Sequence, residues 1–331
     1  MADILRIGIP KGSLQETTLA LFSAAGFSFR GSERSLRLSS NDPEIEPVLL
    51  RPQEIPVFVA RGDLDCGLAG LDWIEETRSK DSLYTLANLQ YSKQSFRPVR
   101  WVLAVSEDSP CQKTDDLKTI RGPVRVSTEL KWITENWLSQ RGIIAEVDFS
   151  WGATEAKAGD FADAIVECTE TGASLRANRL RILDTVFQST TQFFAYGPIC
   201  KAPKAKRKED DPTEEDKAIF NRQLEIYKKS GWKRTKLESI ALLLKSCLMA
   251  EAKVAIRAFA SSDDTQILEA LIPSDVRYSI WESKKNDSLV ELIVNKAAAR
   301  DIVPVFARNG ATRITVAGLS MYHERSFLTP G

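Results

Sequence analysis

Short apolar runs with strand character alternate with helical stretches up to about residue 200, and this alternation constrains the fold most. The first apolar run covers residues 4–10. A Lys-Gly-Ser loop then leads into a helical repeat over residues 14–25, which Gly26 is placed to end. A second apolar run at residues 46–50 is again followed by a helical stretch. Strands that alternate with helices predict an α/β protein with mainly parallel sheets.

The alternation continues in a second set of strands and predicts two α/β lobes. Lobe I is predicted to comprise residues 1–93 and 183–200, and lobe II residues 94–182. The chain would thus cross between the lobes twice, which places a ligand cleft between them at the ends of their strands.

Composition excludes several classes of function. Hydrophobic residues make up 43% and charged residues 27%, as in water-soluble globular proteins. Lys plus Arg and Asp plus Glu both total 45, so no net charge attracts nucleic acid or an anionic membrane. The N-terminus lacks the basic and apolar regions of a signal peptide, and no apolar run has membrane-spanning length. The sequence therefore predicts a cytoplasmic protein.

Cysteine and histidine usage narrows the chemistry further. The five cysteines are scattered without CxxC spacing, which argues against a disulfide framework or a zinc site. A single histidine excludes multi-histidine metal sites and argues against Ser-His-Asp or Cys-His catalysis. This residue, His323, is expected to be solvated near the C-terminus. Catalysis would have to use carboxylates, Lys, Arg, hydroxyls and backbone amides.

Residues 160–178 have the order of an anion site: a strand predicted at residues 161–166, an acidic strand end, and a turn rich in hydroxyls and glycine. Gly172 would let the backbone approach a ligand closely, and successive amides in such a turn can bind phosphate. Thr171 and Ser174 would add hydroxyl donors, and Glu167 could accept bonds from sugar hydroxyls. An ordinary strand-to-helix turn explains the same residues about equally well.

Other predicted strand ends carry polar side chains that could face the same cleft. Lys11 follows the first strand, Arg51 the second, and Asp72 the glycine-rich strand at residues 65–70. Ligands bind at such strand ends in open α/β sheets, which favours an anion-binding role for Lys11 over an ordinary surface position. Asp72 is predicted to cap the next helix, to face the cleft, or both.

The C-terminal third predicts a separate module. Residues 201–235 read as a charged linker, with residues 201–216 expected to be mobile. An apolar helix from residue 236 leads into a βαββαβ order, which is the split ferredoxin-like layout. Its last helix is predicted at residues 301–309, with Asp301 as N-cap and Pro304 in the first turn.

Several segments, in this order, resemble the long form of ATP phosphoribosyltransferase, which catalyses the first step of histidine biosynthesis. The resemblance spans nearly the whole chain, and its most specific part is Asp163-Ala-Ile-Val-Glu167 together with residues 171–175. Further support comes from residues 10–14, 50–56, 65–72 and 236–245. The resemblance implies a two-lobed, periplasmic-binding-protein-like catalytic core with a C-terminal ferredoxin-like regulatory domain at residues 236–331.

The implied reaction joins ATP to phosphoribosyl pyrophosphate and releases pyrophosphate, with magnesium as cofactor. The expected catalytic residues are Lys11, Arg51 and Glu167, and the expected nucleotide-binding residues are Gly12, Ser13 and Asp72. Phosphoribosyl pyrophosphate is expected to contact Glu170, Thr171, Gly172, Ala173, Ser174 and Leu175. Magnesium is expected to arrive with the substrate, near Glu167, without a ligand set fixed by the protein alone.

The resemblance also implies histidine as feedback effector and a homo-oligomer built from dimers up to a hexamer. The sequence departs from the family's pattern at two places. Ser13 stands where members of the family often have Arg, so a regulatory paralogue without activity is one alternative. Residues 278–281 lack the Ser-Pro-Thr pattern usual in the family's regulatory domain. The other alternative is an anion- or solute-binding protein of the same two-lobed fold.

Overall fold

The structure is a computed structural model that describes residues 4–31, 35–91, 98–204, 213–282 and 287–323. The chain divides into two compact units, residues 1–23 with 27–241 and residues 24–26 with 242–331. Among the described residues, no helix has the length and apolar character needed to cross a membrane.

The strands are numbered in chain order. They are β1 (Leu5–Pro10), β2 (Phe29–Arg30), β3 (Ser39–Ser40), β4 (Ile45–Leu50), β5 (Cys66–Gly70), β6 (Leu83–Leu89), β7 (Val99–Ser106), β8 (Val124–Thr128), β9 (Ala145–Phe149), β10 (Ala164–Thr169), β11 (Leu180–Ser189), β12 (Thr191–Tyr196), β13 (Lys253–Ser261), β14 (Tyr278–Glu282), β15 (Asp287–Asn295) and β16 (Arg313–Gly318).

The helices are numbered in the same way, with short 3₁₀ turns at Lys80–Ser82, Thr114–Thr119 and Thr154–Lys157. They are α1 (Gln15–Ala24), α2 (Ile55–Arg61), α3 (Leu71–Glu76), α4 (Lys131–Gln140), α5 (Ala173–Ala177), α6 (Gly197–Cys200), α7 (Glu214–Lys229), α8 (Gly231–Glu251), α9 (Ser262–Ala270) and α10 (Lys296–Arg308).

The first lobe is built on a five-stranded sheet with the order β4-β1-β5-β12-β6. β1 pairs in parallel with both β4 and β5, whereas β12 runs antiparallel to its two neighbours. The helical stretch predicted after residues 46–50 is α2, which has proline in its first turn and ends at Gly62 in the left-handed region.

The second lobe is built on a sheet with the order β11-β7-β10-β8-β9. The chain enters it between β6 and β7 and leaves it between β11 and β12, which is the double crossing of periplasmic-binding-protein-like folds. The predicted boundary at residues 182/183 is wrong, because β11 continues to Ser189 as an antiparallel partner of β7. Register shifts after Ile182 and Thr185 interrupt its alternation, so the sequence does not show one continuous strand.

The strand predicted at residues 161–166 lies three residues further on, as β10. Phe161 is 74% exposed and is not a strand core residue. Asp163 ends the preceding loop: its carboxylate accepts bonds from the Arg125 guanidinium and the Arg125 amide, at 2.9 Å each. This contact holds the start of β10 beside β8.

The predicted linker at residues 201–235 contains helix α7 and the start of α8, which begins at Gly231 rather than at residue 236. The sequence signal for α7 is a capping box: Thr213 Oγ1 accepts from the Asp216 amide, and Asp216 accepts from the Thr213 amide. The predicted mobility of residues 201–216 falls partly outside the described residues, since residues 205–212 are not among them.

The C-terminal unit has the predicted βαββαβ order. Its sheet has the order β14-β15-β13-β16, with every neighbouring pair antiparallel. The prediction for its last helix is wrong at the start: α10 begins at Lys296 with Asn295 as N-cap, so Asp301 and Pro304 lie inside it. The alanine-rich sequence after Asn295 has a high helix propensity, so the helix begins before Asp301 rather than at it.

Candidate functional site

A cavity of about 880 Å³ lies between the two lobes of the first unit. It is lined from both sheets by residues at or just beyond the carboxyl ends of β1, β4, β5 and β10. Of the residues predicted for the site, those that line it are Lys11, Gly12, Ser13, Arg51, Asp72, Glu167, Glu170, Thr171, Ala173 and Ser174.

Two predicted site residues, Gly172 and Leu175, are not part of the cavity lining. Leu175 is 1% exposed, and its side chain packs in the core of the second lobe with Val102 and Ile165, which leaves only its backbone for the predicted substrate contact. Gly172 has a φ of +73°, which glycine adopts without strain, and it sets the shape of the turn without lining the cavity.

Lys11 and Arg51 lie side by side on the first lobe. β1 and β4 are parallel neighbours with Pro10 opposite Leu50, and the Lys11 amide donates to the Leu50 carbonyl at 2.7 Å. Both side chains are exposed. Within the described part of the chain, neither side chain makes a hydrogen bond or an ion pair, so both positive charges can face an anion.

The turn that follows β10 is held by its own hydroxyl groups. The Gly172 amide donates to Thr169 Oγ1 at 2.7 Å, and the Ala173 amide donates to Thr171 Oγ1 at 3.4 Å. Ser174 Oγ donates to Glu155 at 2.7 Å. The turn is therefore ordered, and a phosphate would replace some of these internal bonds.

Glu167 lies on β10, within the strand rather than after it. Burial raises the pKa of its carboxyl, and the negative charges of Glu155 and Glu129 raise it further. Bonds from the Thr154 hydroxyl and from the Cys168 amide, at 3.0 Å, act in the opposite direction. Glu167 therefore retains a proton to higher pH than an exposed glutamate.

Asp72 is 4% exposed at the start of α3. Its Oδ2 accepts from Trp101 Nε1 at 2.6 Å, and its Oδ1 accepts from the Trp73 amide at 2.9 Å. Burial raises the pKa of this carboxyl, while the bonds from Trp101 and Ser189 lower it. The predicted cap role is wrong, because α3 begins at Leu71 and its N-cap is Gly70. Asp72 does line the cavity, as the other prediction had it.

Sequence reasoning missed several residues that line the cavity, among them Glu129, Glu155, Trp101 and Tyr91. Glu129 follows β8 directly, so the strand-end rule that identified Lys11 could also have found it. Among the described residues, the cavity wall holds five carboxylates, from Asp72, Glu129, Glu155, Glu167 and Glu170, and two cations, Lys11 and Arg51.

The donor set suits a hard cation that arrives with its ligand. Carboxylate oxygens are the ligands magnesium prefers, and it often binds through one or two of them plus substrate phosphates. Among the described residues, no group of three or more His, Cys, Asp or Glu side chains is arranged to hold a metal alone. The five cysteines are free thiols, and His323 is exposed near the C-terminus.

Comparison with known proteins shows the family of this chain. The family model for ATP phosphoribosyltransferase (HisG) matches residues 51–209. The ATP phosphoribosyltransferase of Thermodesulfovibrio yellowstonii is 41% identical over 312 residues, covering 93% of this chain and 94% of that protein. The enzyme of Chlorobium phaeobacteroides is 40% identical over 315 residues, covering 95% of this chain and 96% of that protein. Over nearly its whole length, therefore, this chain belongs to the ATP phosphoribosyltransferase family.

Proposed function

We propose that the protein transfers the phosphoribosyl group of phosphoribosyl pyrophosphate to ATP, giving phosphoribosyl-ATP and pyrophosphate in the first step of histidine biosynthesis. The observation that supports this most is the division of charge in the cavity. Lys11 and Arg51 stand on the first lobe, and Glu167 with its acidic neighbours stands on the second.

That division matches the charges that develop in the reaction. A ring nitrogen of adenine forms a bond to the anomeric carbon while the bond from that carbon to pyrophosphate breaks. Positive charge grows on the ribose and negative charge on the leaving group, and fixed charges of opposite sign stabilise both. Glu167 would stabilise the ribose, and Lys11 and Arg51 would stabilise the pyrophosphate.

Substrate positioning follows from the same geometry. The turn from Thr171 to Ser174 would hold the ribose phosphate through hydroxyls and amides, with Gly172 setting its shape and Glu170 beside the ribose. Gly12, Ser13 and Asp72 border the nucleotide side. Magnesium, when bound with pyrophosphate, would neutralise charge that two protein cations cannot balance alone, with Glu167 contacting its water.

The test is to incubate the purified protein with ATP, magnesium and phosphoribosyl pyrophosphate and to follow adduct formation by absorbance. We expect adduct that requires all three components. Binding of either substrate without adduct would support the solute-binding or regulatory alternatives and would contradict the proposal. A Ser13→Arg variant tests the family departure: an increase in turnover would show that Ser13 limits the nucleotide contact.

We also propose that the protein acts in the cytoplasm as a homo-oligomer, from a dimer up to a hexamer, with histidine as feedback effector. The ferredoxin-like layout of the C-terminal unit supports an effector role, since such modules commonly bind small ligands. Thermal shift with millimolar histidine tests this. Absence of stabilisation would contradict it, and sedimentation analysis would give the assembly state.

A further inference from the structure

Helix α3 belongs to the first lobe by sequence, yet two of its acidic side chains bind the second lobe. The helix follows β5 directly and spans only Leu71–Glu76. Asp72 and Glu76 are four residues apart, so they project from the same face of the helix. The intervening Glu75 instead pairs with Lys80 at 2.6 Å, within the first lobe.

Asp72 contacts a tryptophan on β7 of the second sheet. Its Oδ2 accepts from Trp101 Nε1 on β7 at 2.6 Å, and the ring of Trp73 meets the ring of Trp101 edge-on at 6.0 Å. The Asp72 amide donates to Ser189 Oγ at the end of β11, at 3.1 Å. A Cβ at Gly70 would lie 2.0 Å from Asp72 Oδ1, so glycine at this position makes room for the carboxylate.

Glu76 binds the amino end of a helix in the other lobe. Its two carboxylate oxygens accept from the Trp132 amide at 2.8 Å and from the Ile133 amide at 3.0 Å, both in the first turn of α4. The N-cap residue of α4, Leu130, provides no side-chain bond to these amides. The capping group that α4 lacks in its own sequence thus comes from the first lobe.

We propose that Asp72 and Glu76 are a pair of positioning residues that fix the two lobes at the separation required for phosphoribosyl transfer. Asp72 holds Trp101, which lines the cavity, and Glu76 holds the amino end of α4. This inference rests on the proposed function for its consequence in turnover, but the contacts themselves do not.

The consequence follows from where the reacting groups are held. Lys11 and Arg51 stand on the first lobe, whereas Glu167 and the turn at residues 171–174 stand on the second. Each substrate can bind largely to one lobe, but the transfer needs both lobes in register. A misplacement of about 1 Å at a reacting centre can cost about a hundredfold in rate.

The experiment compares Glu76→Gln and Asp72→Asn with Glu75→Gln, a control on the same helix that leaves the second lobe untouched. We expect the first two variants to lose about tenfold to a hundredfold in kcat. KM for both substrates should stay within about twofold of wild type in Glu76→Gln. In Asp72→Asn this holds for phosphoribosyl pyrophosphate, since Asp72 borders the nucleotide side. Glu75→Gln should match wild type. Raised KM with unchanged kcat, or an equal loss in Glu75→Gln, would overturn the proposal.

Hydrogen exchange of the Trp132 and Ile133 amides gives a readout that needs no substrate. Glu76→Gln should accelerate it directly. Asp72→Asn should also accelerate it, although Asp72 does not touch α4, because the pair acts as one coupling. If exchange of these two amides is not accelerated in Asp72→Asn, the proposal that Asp72 and Glu76 act together is overturned. If wild type catalyses no transfer, the proposed function fails, and the exchange data still decide whether α3 couples the lobes.

A further variant keeps the proposal testable if Asp72→Asn alone fails to fold. Trp101→Phe removes the donor to Asp72 while keeping an aromatic ring in the core. If the hydrogen bond between them carries the effect, Asp72→Asn combined with Trp101→Phe should reduce kcat no more than the stronger single variant. Additive losses in the double variant would contradict that.

Discussion

At the residue scale, Gly172 has a backbone conformation that other residues adopt only with strain. Its φ is +73°, and an added Cβ would lie 3.0 Å from Arg176 Nη1. Gly172→Val should distort the turn that carries Thr171 and Ser174 and abolish binding of phosphoribosyl pyrophosphate in calorimetry. The left-handed conformation alone should cost about 1–2 kcal/mol of folding stability.

The matched control is Gly122→Val. Gly122 has a similar φ of +84°, and an added Cβ there would meet no atom within 4 Å. Its variant should lose comparable stability but bind phosphoribosyl pyrophosphate normally. Unchanged affinity in Gly172→Val would contradict the role assigned to the turn.

The buried carboxyl of Glu167 predicts the acid side of the pH profile. Its raised pKa means that, as pH falls, it takes up a proton at a pH above the ordinary glutamate value of 4.5 and loses the charge that stabilises the ribose. The acid limb of kcat/KM should therefore lie above pH 4.5 in wild type and vanish in Glu167→Gln. That variant should also lose about 10²–10³ in kcat.

The same shift predicts an opposite effect on stability. A carboxyl with a raised pKa binds its proton more tightly in the folded state, so above that pKa its charge lowers the free energy of unfolding. Glu167→Gln should therefore melt at a higher temperature than wild type at pH 7. Glu146→Gln, at an exposed position on β9, is the control and should change neither activity nor melting. A lower Tm for Glu167→Gln would contradict the burial argument.

At the scale of elements, helix α10 contains a proline in its interior. Pro304 lies in the third turn of the thirteen-residue helix and cannot donate to the Arg300 carbonyl. Pro304→Ala should therefore raise the free energy of unfolding of the C-terminal unit by about 1–3 kcal/mol. Pro273→Ala, in a turn, should lower it by about 0.4–1 kcal/mol, because the unfolded chain gains freedom. Calorimetric melting measures both, and destabilisation by Pro304→Ala would contradict the prediction.

Elements were predictable where local pattern and tertiary structure agree. The βαββαβ order follows from regular alternation, and α2 follows from its proline and Gly62. The extent of β11 and its place in the second lobe were not predictable. Its register shifts hide the alternation, and its pairing with β7 is decided by residues about 80 positions earlier. The capping of helix α4 shows the same limit, since its capping carboxylate is Glu76, 56 residues before Trp132 in sequence.

At the scale of the whole molecule, the strand-end rule predicted three residues that line the cavity. Lys11, Arg51 and Asp72 follow three neighbouring strands of one sheet, and parallel pairing brings such ends together. What the sequence could not show is which side chains meet across the lobes. The bond from Trp101 to Asp72 and the place of the Glu155 carboxylate in the cavity wall depend on how the two sheets face each other.

The central claim is that the cavity separates the charges of the reaction between its two lobes. A crystal structure with phosphoribosyl pyrophosphate and magnesium bound tests it most directly. We predict that the ribose phosphate contacts the turn at residues 171–174 and that the pyrophosphate lies against Lys11 and Arg51, with the ribose beside Glu167. Pyrophosphate bound away from both cations, or a ribose phosphate outside that turn, would contradict the account.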